Sequence, residues 1–254
     1  MLDSIALRGY ARGVESERRY PGGKGASGVC QAIINEMPPH QVYLEPFLGG
    51  GAVMLAKLPA FVNVGVDLDS AAVARVAARL AVGGDGDPRY RFIVGDGMSY
   101  LRRWRWWAGA LVYCDPPYLM ETRSCQRRMY RFELELPGHI ALLDVLGRLP
   151  CKVMVSGYES ELYRRRLSSW RVVRYGSMTS GGGVREECLW CNFPESETLH
   201  DYRYLGRGFR ERERIRRRRA RWVAMLQAMP AQERAAVLGD LLAMSEGQNV
   251  QDGL

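Results

Sequence analysis

The chain has 254 residues, of which 47% are hydrophobic and 25% charged, an ordinary composition for a folded globular protein. No apolar run approaches the roughly 20 residues that a membrane-spanning helix needs, and residues 1–20 lack the apolar core of a signal peptide. We therefore expect a soluble protein of the cytoplasm without membrane contact, with room for one large α/β domain and an appendage. The net charge of +8 lies in one segment, residues 203–221, which holds ten arginines and two acids.

The cysteines and histidines predict no metal site. The six cysteines are irregularly spaced, and Cys188 and Cys191 fall within a predicted strand. An offset of three places these two thiols on opposite faces of a strand, so core packing is favoured over metal or redox use. The three histidines are scattered along the chain.

The first half of the chain has the pattern of a nucleotide-binding sheet. A glycine-rich turn with a lysine, residues 19–25, precedes a predicted helix over 27–35. Residues 41–47 predict the first strand, and Leu48-Gly49-Gly50-Gly51 leads into a helix that begins at Ala52. A strand, a glycine turn and a helix let the backbone approach a bound nucleotide closely, and Gly49 and Gly51 are the candidates for that approach.

Two further strands are predicted to end in an acid. Residues 62–67 end in Asp67, which lies 18 positions after Gly49. An acid at about this spacing accepts hydrogen bonds from ribose hydroxyls. The alternative is a helix N-cap, but Asp69 or Ser70 suits that position better because the next helix is predicted over 70–82. Residues 91–96 end in Asp96.

A buried strand, Leu111–Cys114, stops abruptly at Asp115-Pro116-Pro117-Tyr118. Neither proline can donate to a sheet, so the backbone stays extended beyond the strand. The Asp115 carboxylate and the Pro116 carbonyl are two acceptors that match the two hydrogens of an exocyclic amino group, and Tyr118 offers a ring for base stacking. The alternative is a strand-terminating turn with a capping aspartate.

Together these motifs resemble the Dam-like DNA adenine methyltransferases. The DPPY string after a hydrophobic strand, the string EPFLGGGAVML and the PGGK turn are similar to motifs of that family. The resemblance covers residues 19 to about 193. It implies a Rossmann-like methyltransferase sheet of seven strands, mostly parallel with an antiparallel edge, and S-adenosylmethionine as cofactor. It also implies methyl transfer to the N6 amino group of adenine in double-stranded DNA, in a bacterial or phage-infected cytoplasm.

The resemblance and the motifs together predict the site residues. The predicted catalytic residues are Asp115, Pro116, Pro117 and Tyr118. The predicted cofactor-binding residues are Tyr20, Lys24, Glu45, Pro46, Phe47, Gly49, Gly51, Asp67, Asp96 and Asp115. Within this set Tyr20 and Lys24 match the family's aromatic residue and lysine, and a lysine there meets the cofactor's carboxylate.

One departure from the family concerns target recognition. The family commonly inserts a recognition domain between the third strand and DPPY, but Asp115 lies only 19 positions after Asp96. Recognition then falls to residues 119–139, to the 176–186 loop or to the arginine-rich segment. Residues 119–139 include Arg123, Arg127 and Arg128 and are either a solvated loop or a lid that contacts DNA.

The remaining strands are predicted at 151–156, 171–175 and 187–193. We place the methyltransferase domain at residues 1–198 and a basic helical hairpin at 199–254, with helices over 210–229 and 231–244. Its apolar faces are predicted to pack while its arginines point outward. So large a basic excess favours phosphate contact over a merely solvated surface. The predicted contacts are Arg210, Arg214, Arg216, Arg217, Arg218, Arg219 and Arg221.

Three alternatives stay open at this point. The acceptor is the N4 amino group of cytosine, the substrate is RNA, or the chain is an inactive nucleic-acid-binding module. The sequence leaves open whether the protein is a monomer or a dimer, and whether it serves restriction protection or phage defence.

Overall fold

The computed structural model describes Lys24 and residues 28–81, 86–104, 109–123, 128–178 and 183–251, with side chains up to Met244. The described residues form two compact units. The first ends at Asp201 and the second begins at Tyr202.

One seven-stranded sheet organises the first unit. The strands are β1 (Val42–Glu45), β2 (Val62–Asp67), β3 (Tyr90–Val94), β4 (Ala110–Cys114), β5 (Lys152–Gly157), β6 (Arg171–Met178) and β7 (Val184–Cys191). Their order across the sheet is β3-β2-β1-β4-β5-β7-β6. Strands β1 to β5 are parallel, and β7 lies antiparallel between β5 and β6. The predicted Rossmann-like α/β sheet, mostly parallel with an antiparallel edge, is confirmed.

Six helices of the described ranges accompany the sheet; α1 precedes β1, and the other five each connect two successive strands. They are α1 (Val29–Ile34), α2 (Ala52–Ala56), α3 (Ser70–Leu80), α4 (Gly97–Arg103), α5 (Leu136–Leu146) and α6 (Glu161–Arg166), with a 3-10 turn at Met120–Thr122. Val112 of β4 and Val153 of β5 pack in one core cluster with Leu101 of α4 and Leu142 of α5. Alternate side chains of a strand point to opposite faces, so Tyr113, between Val112 and Cys114, faces away from that cluster.

The predicted elements agree with the structure except at their ends. Strand β2 has the predicted bounds, whereas β6 and β7 extend three residues further into their hairpin than the sequence indicated. The extra pairs run from Gly176↔Glu186 to Met178↔Val184. These residues form strands because of the antiparallel backbone hydrogen bonds between β6 and β7. Their side chains do not alternate between apolar and polar, so the sequence did not indicate a strand there.

The five cysteines within the described residues are free and buried, including Cys188 and Cys191. This agrees with the predicted role in packing. Among the helices of the described ranges, none is long and apolar enough to cross a bilayer.

The second unit is a helical hairpin. Helix α7 spans Phe209–Ala228, helix α8 spans Ala231–Gln251, and Pro230 lies between them. No residue of α7 is buried. Trp222 on α7 is 59% exposed and Leu242 on α8 is 65% exposed. The predicted packing of the hairpin's apolar faces stays a prediction.

Candidate functional site

A cavity of about 510 Å³ opens where the carboxyl ends of β1 to β4 meet, a volume typical of small-molecule sites. In a parallel sheet this edge is the usual position of ligands. The structure brings most of the predicted catalytic and cofactor-binding residues to its wall. They are Lys24, Glu45, Pro46, Phe47, Gly49, Gly51, Asp67, Asp96, Asp115 and Pro117.

Two glycines shape this wall through close backbone contacts. Gly51 begins α2 with a φ of +60°, and a Cβ there would meet Val76 at 2.8 Å. Gly97 begins α4, and a Cβ there would lie 1.9 Å from the carbonyl oxygen of Pro46. Gly51 is favoured by its positive φ and by the Val76 side chain, whereas Gly97 is required because the turn after β3 packs directly against the backbone after β1.

Asp67 holds the glycine turn. Its Oδ2 accepts a hydrogen bond from the Gly49 N–H at 2.7 Å, and its Oδ1 accepts one from the Asp69 N–H at 2.8 Å. Asp69 is the N-cap of α3 and accepts from the Ala71 N–H, as the sequence indicated. The half-buried Asp67 carboxylate remains on the cavity wall, and its contact with a ribose stays a prediction.

Asp96 is the N-cap of α4. Its carboxylate accepts hydrogen bonds from the backbone N–H groups of Met98 and Ser99, both at 3.1 Å, and from the Ser99 hydroxyl at 2.7 Å. Asp96 thus has a structural role at the cavity wall, and its predicted contact with the cofactor is not tested by this arrangement.

Glu45, at the end of β1, is a buried carboxyl group. It is 3% exposed, and its Oε1 accepts a hydrogen bond from the Tyr43 hydroxyl at 2.6 Å. Burial raises the pKa of Glu45 to about 8, although the Tyr43 hydrogen bond and the Lys57 charge act in the opposite direction. A positive charge placed in the cavity would favour its ionised form.

A cluster of charged side chains centres on Asp115, directly after β4. The Asp115 side chain is 21% exposed, and its Oδ1 lies 3.0 Å from the Lys24 ammonium. This contact lacks hydrogen-bond geometry, and among the described residues Asp115 Oδ1 has no hydrogen-bond donor. Burial raises the pKa of Asp115, with Lys24 lowering it and Glu187 raising it further.

Lys24 is held by a second carboxylate, Glu187 on β7. Glu187 Oε2 accepts hydrogen bonds from Lys24 Nζ at 2.9 Å and from the Tyr118 hydroxyl at 2.7 Å, and Oε1 accepts one from the Ser177 hydroxyl at 2.6 Å. Burial alone would lower the pKa of Lys24, but Asp115 and Glu187 more than offset it, so the pKa is raised. Lys24 is therefore a permanent ammonium ion between two carboxylates.

Tyr118 is buried beside this cluster and does not line the cavity. Its ring is 9% exposed, and the Lys24 ammonium lies 4.6 Å from the ring centroid. The edge of Tyr158 contacts it with ring centroids 4.8 Å apart. The hydroxyl also lies very close to Lys24 Nζ. Base stacking on this ring stays a prediction.

Residues 129–134 form part of the cavity wall and are held by a buried ion pair. Glu133 accepts hydrogen bonds from Arg123 at 2.9 and 2.6 Å, and Arg123 Nε donates to the Tyr118 carbonyl at 2.7 Å. The Arg123 side chain is 5% exposed. Arg123 was predicted to contact DNA, but its guanidinium is buried and hydrogen-bonded to Glu133 and to the Tyr118 carbonyl, which argues against that contact.

The other predicted arginines lie at the surface. Arg128 is 78% exposed, and on α7 the side chains of Arg214, Arg216 and Arg217 are 69%, 70% and 74% exposed. These three pair with Glu211 or Glu213 one turn away. The remaining predicted contacts, Arg210, Arg218, Arg219 and Arg221, are also exposed.

Two predicted site residues, Tyr20 and Arg127, lie outside the described residues. Pro116 is buried and does not line the cavity. Within the ranges that the structure describes, no group of three or more His, Cys, Asp or Glu side chains could hold a metal ion.

Glu187 was not identified from the sequence. It lies 163 positions from Lys24 and 69 from Tyr118, so no local motif links them. The one local sign of its role is its position directly before the apolar run Cys188–Cys191. That run is the buried half of β7, and Glu187 is an acidic residue at its start.

No protein-family model matches this sequence, and no curated protein matches it. Several solved structures have a similar fold. A precorrin 8w decarboxylase from Methanobacterium thermoautotrophicum is 14% identical with a TM-score of 0.46, and covers 69% of this chain and 94% of its own. A SAM-dependent methyltransferase from Agrobacterium tumefaciens (TM-score 0.44) and a dimethyladenosine transferase from Plasmodium falciparum (TM-score 0.41) are each 14% identical and cover 64% of this chain and 58% of their own. At this similarity, any assignment of function depends on the residues of the site.

Proposed function

We propose that this chain transfers a methyl group from S-adenosylmethionine to the N6 amino group of adenine in double-stranded DNA. The observation that carries the proposal is the state of Asp115. Its Oδ1 lies buried at the cavity, and its close partner among the described residues is the Lys24 ammonium, which is shared with Glu187. That contact lacks good hydrogen-bond geometry, so Oδ1 keeps the capacity to accept a donor that arrives with a ligand.

An exocyclic amino group fits this acceptor. It carries two hydrogens, and Asp115 lines the cavity as an acceptor for one of them. Pro116 is buried away from the cavity wall, so the acceptance of the second hydrogen by its carbonyl stays a prediction. Accepting both hydrogens pulls the nitrogen towards tetrahedral geometry and frees its lone pair. No covalent intermediate on the protein is required. The buried Cys114 supports this, since burial raises the pKa of its thiol well above the ordinary value.

The residues of the cavity fit the proposed cofactor. S-adenosylmethionine supplies, when bound, a methyl group on a positively charged sulfur. The glycine turn at Gly49 and Gly51 offers close backbone approach, and Asp67 offers carboxylate oxygens. Glu45 and Asp115 provide negative charge beside a cationic ligand. Lys24 faces Asp115 and Glu187, so its contact with the cofactor's carboxylate stays a prediction.

The exposed arginines of α7 support a polyanionic substrate. Their pairing partners are acids on the same exposed helix face, and such surface pairs contribute little and exchange readily for phosphate oxygens. We propose that α7 and Arg128 contact the DNA backbone. Contacts to phosphates position a duplex without reading its sequence, so we expect low sequence stringency.

Methyl transfer from radiolabelled S-adenosylmethionine tests this proposal. Two duplexes are compared, one in which adenine is the only base with an exocyclic amino group and one in which cytosine is. We expect label in the adenine duplex, retained when excess RNA is added. Label only in the cytosine duplex would select N4 methylation, and loss of signal to RNA would select an RNA substrate. If the protein binds DNA but transfers no label to either duplex, the result would indicate an inactive DNA-binding module.

A further inference from the structure

Among the described residues, the buried cluster at the end of β4 holds two carboxylates but only one cation. Lys24 lies between Asp115 and Glu187, with its side chain 6% exposed and that of Glu187 7% exposed. The two contacts are not equivalent. Lys24 donates a well-formed hydrogen bond to Glu187 at 2.9 Å, whereas its 3.0 Å contact with Asp115 Oδ1 lacks hydrogen-bond geometry.

We propose that Glu187 is a positioning residue for methyl transfer: it shares the Lys24 ammonium with Asp115 and thereby weakens the contact of Lys24 with Asp115 Oδ1, so that this oxygen can accept the target amino group. This inference rests on the proposed function. Without Glu187, the nearest strong acceptor for Lys24 is Asp115. Lys24 would then donate a full hydrogen bond to the oxygen that the substrate needs, instead of the poorly aligned contact it now makes.

The surroundings of Glu187 keep it in this position. The Ser177 hydroxyl donates to Oε1, and the Tyr118 hydroxyl donates to Oε2 together with Lys24. Burial would raise the pKa of Glu187, but Lys24 and these hydrogen bonds lower it overall. Glu187 therefore stays ionised and competes continuously with Asp115 for the ammonium.

Tyr118 links this cluster to the motif. Its hydroxyl bonds to Glu187, and its ring lies under Lys24. Tyr118 of the DPPY motif therefore helps to hold Glu187, which is the counter-ion of Lys24. Glu187 on β7 is thus part of the same site as the motif, although the two are separated by four strand and helix elements along the chain.

The test is Glu187→Gln, which keeps the shape and an acceptor oxygen but removes the charge. Lys24 should then donate to Asp115, and we expect kcat to fall about tenfold, less than the loss of a group at the reacting centre itself, because Glu187 acts only through Lys24 and Asp115. The control is Glu186→Gln, because the neighbouring Glu186 is 64% exposed and pairs with Arg174. The control should retain its kcat.

The pH dependence separates this role from a merely structural one. Asp115 must be ionised to accept the amine, so kcat falls as the pH drops through its pKa. Burial raises that pKa and Glu187 raises it further. Glu187→Gln should therefore move the acid limb of the kcat profile to lower pH. Carboxyl-carbon NMR of Asp115 in the protein without cofactor should report the same downward shift.

A double variant keeps the test decisive if Glu187→Gln fails to fold. If Glu187 acts through Lys24, adding Glu187→Gln to Lys24→Met should change the plateau kcat less than about twofold, because coupled residues are not additive. Removing both charges also avoids leaving Glu187 as an unpaired buried carboxylate. Additive losses would overturn the inference.

The remaining outcomes distinguish the inference from the proposed function. An active parent protein whose kcat and acid limb are unchanged by Glu187→Gln would refute the role of Glu187 alone. A parent protein that transfers no methyl group would refute the proposed function, and the NMR titration would still show whether Glu187 controls the charge on Asp115.

Discussion

The sheet-edge cluster and helix α7 both concentrate charge, but they do so in opposite environments. The Lys24 and Glu187 side chains are 6% and 7% exposed, whereas Arg216 and Arg217 on α7 are 70% and 74% exposed. A buried charge needs partners at fixed distances, and this gives it the directional precision that catalysis requires. An exposed charge is screened and mobile, which suits attraction of a polyanion. Substitutions at the two regions should therefore affect different steps.

The largest expected effect is at Asp115. Asp115→Asn removes the negative charge that accepts the amino group, and we expect the transfer rate to fall roughly a thousandfold. Binding of duplex DNA should be nearly unchanged, because Asp115 contributes nothing to phosphate contacts. The measurements are single-turnover methyl transfer and fluorescence anisotropy of labelled DNA.

The matched control for Asp115→Asn is Asp144→Asn, at a surface carboxylate that is 46% exposed and paired with Arg166. This control should transfer methyl groups at the parent rate. Normal activity of Asp115→Asn would be incompatible with the mechanism.

A second comparison tests burial within one loop region. Arg123 is 5% exposed and hydrogen-bonded to Glu133, whereas Arg128 is 78% exposed and 3.9 Å from Glu135. Arg123→Met leaves the Glu133 carboxylate buried without its partner, so we expect the free energy of unfolding to fall by about 3 kcal/mol. Urea denaturation measures this change.

The control substitution, Arg128→Met, should change the free energy of unfolding by less than about 0.5 kcal/mol, because exposed ion pairs contribute little. Equal effects of the two substitutions would contradict the structural role assigned to Arg123. That result would also make Arg123 a candidate for DNA contact again.

The smallest expected effect is on DNA affinity. Replacing Arg216, Arg217, Arg218 and Arg219 together with glutamine should weaken binding about tenfold at moderate salt. The slope of log K against log salt should shrink by up to about 3 to 4, close to 0.9 for each phosphate that is no longer neutralised. The single-turnover rate at saturating DNA should be retained. The measurement is a salt titration of binding by anisotropy.

The arginines of α6 provide a matched control. Glutamine at Arg164, Arg165 and Arg166 removes a similar run of exposed charge from the first unit. This variant should keep the parent salt slope. If both runs change the slope equally, DNA contact would not be specific to α7.

Local patterns determined much of the fold. The apolar runs, and the turn and proline residues that end them, predicted β2 with its observed bounds and the end of β4 before Asp115. They also predicted the break between α7 and α8 at Pro230. The glycine turn and the acids at strand ends predicted which edge of the sheet carries the cavity. These signals are local because hydrogen bonding in turns, caps and strand ends involves residues close in sequence.

Only the tertiary structure decided what surrounds the motif. The order β4-β5-β7 brings Glu187 to Tyr118 and Lys24, and the pairing of Arg123 with Glu133 turns an expected surface arginine into a buried one. No periodic pattern in the sequence predicts either contact. Each depends on which strands are neighbours in the sheet and on which buried charges pair with each other. The sequence by itself determined which carboxylate stands at the end of β4, and the fold decided which charges surround it.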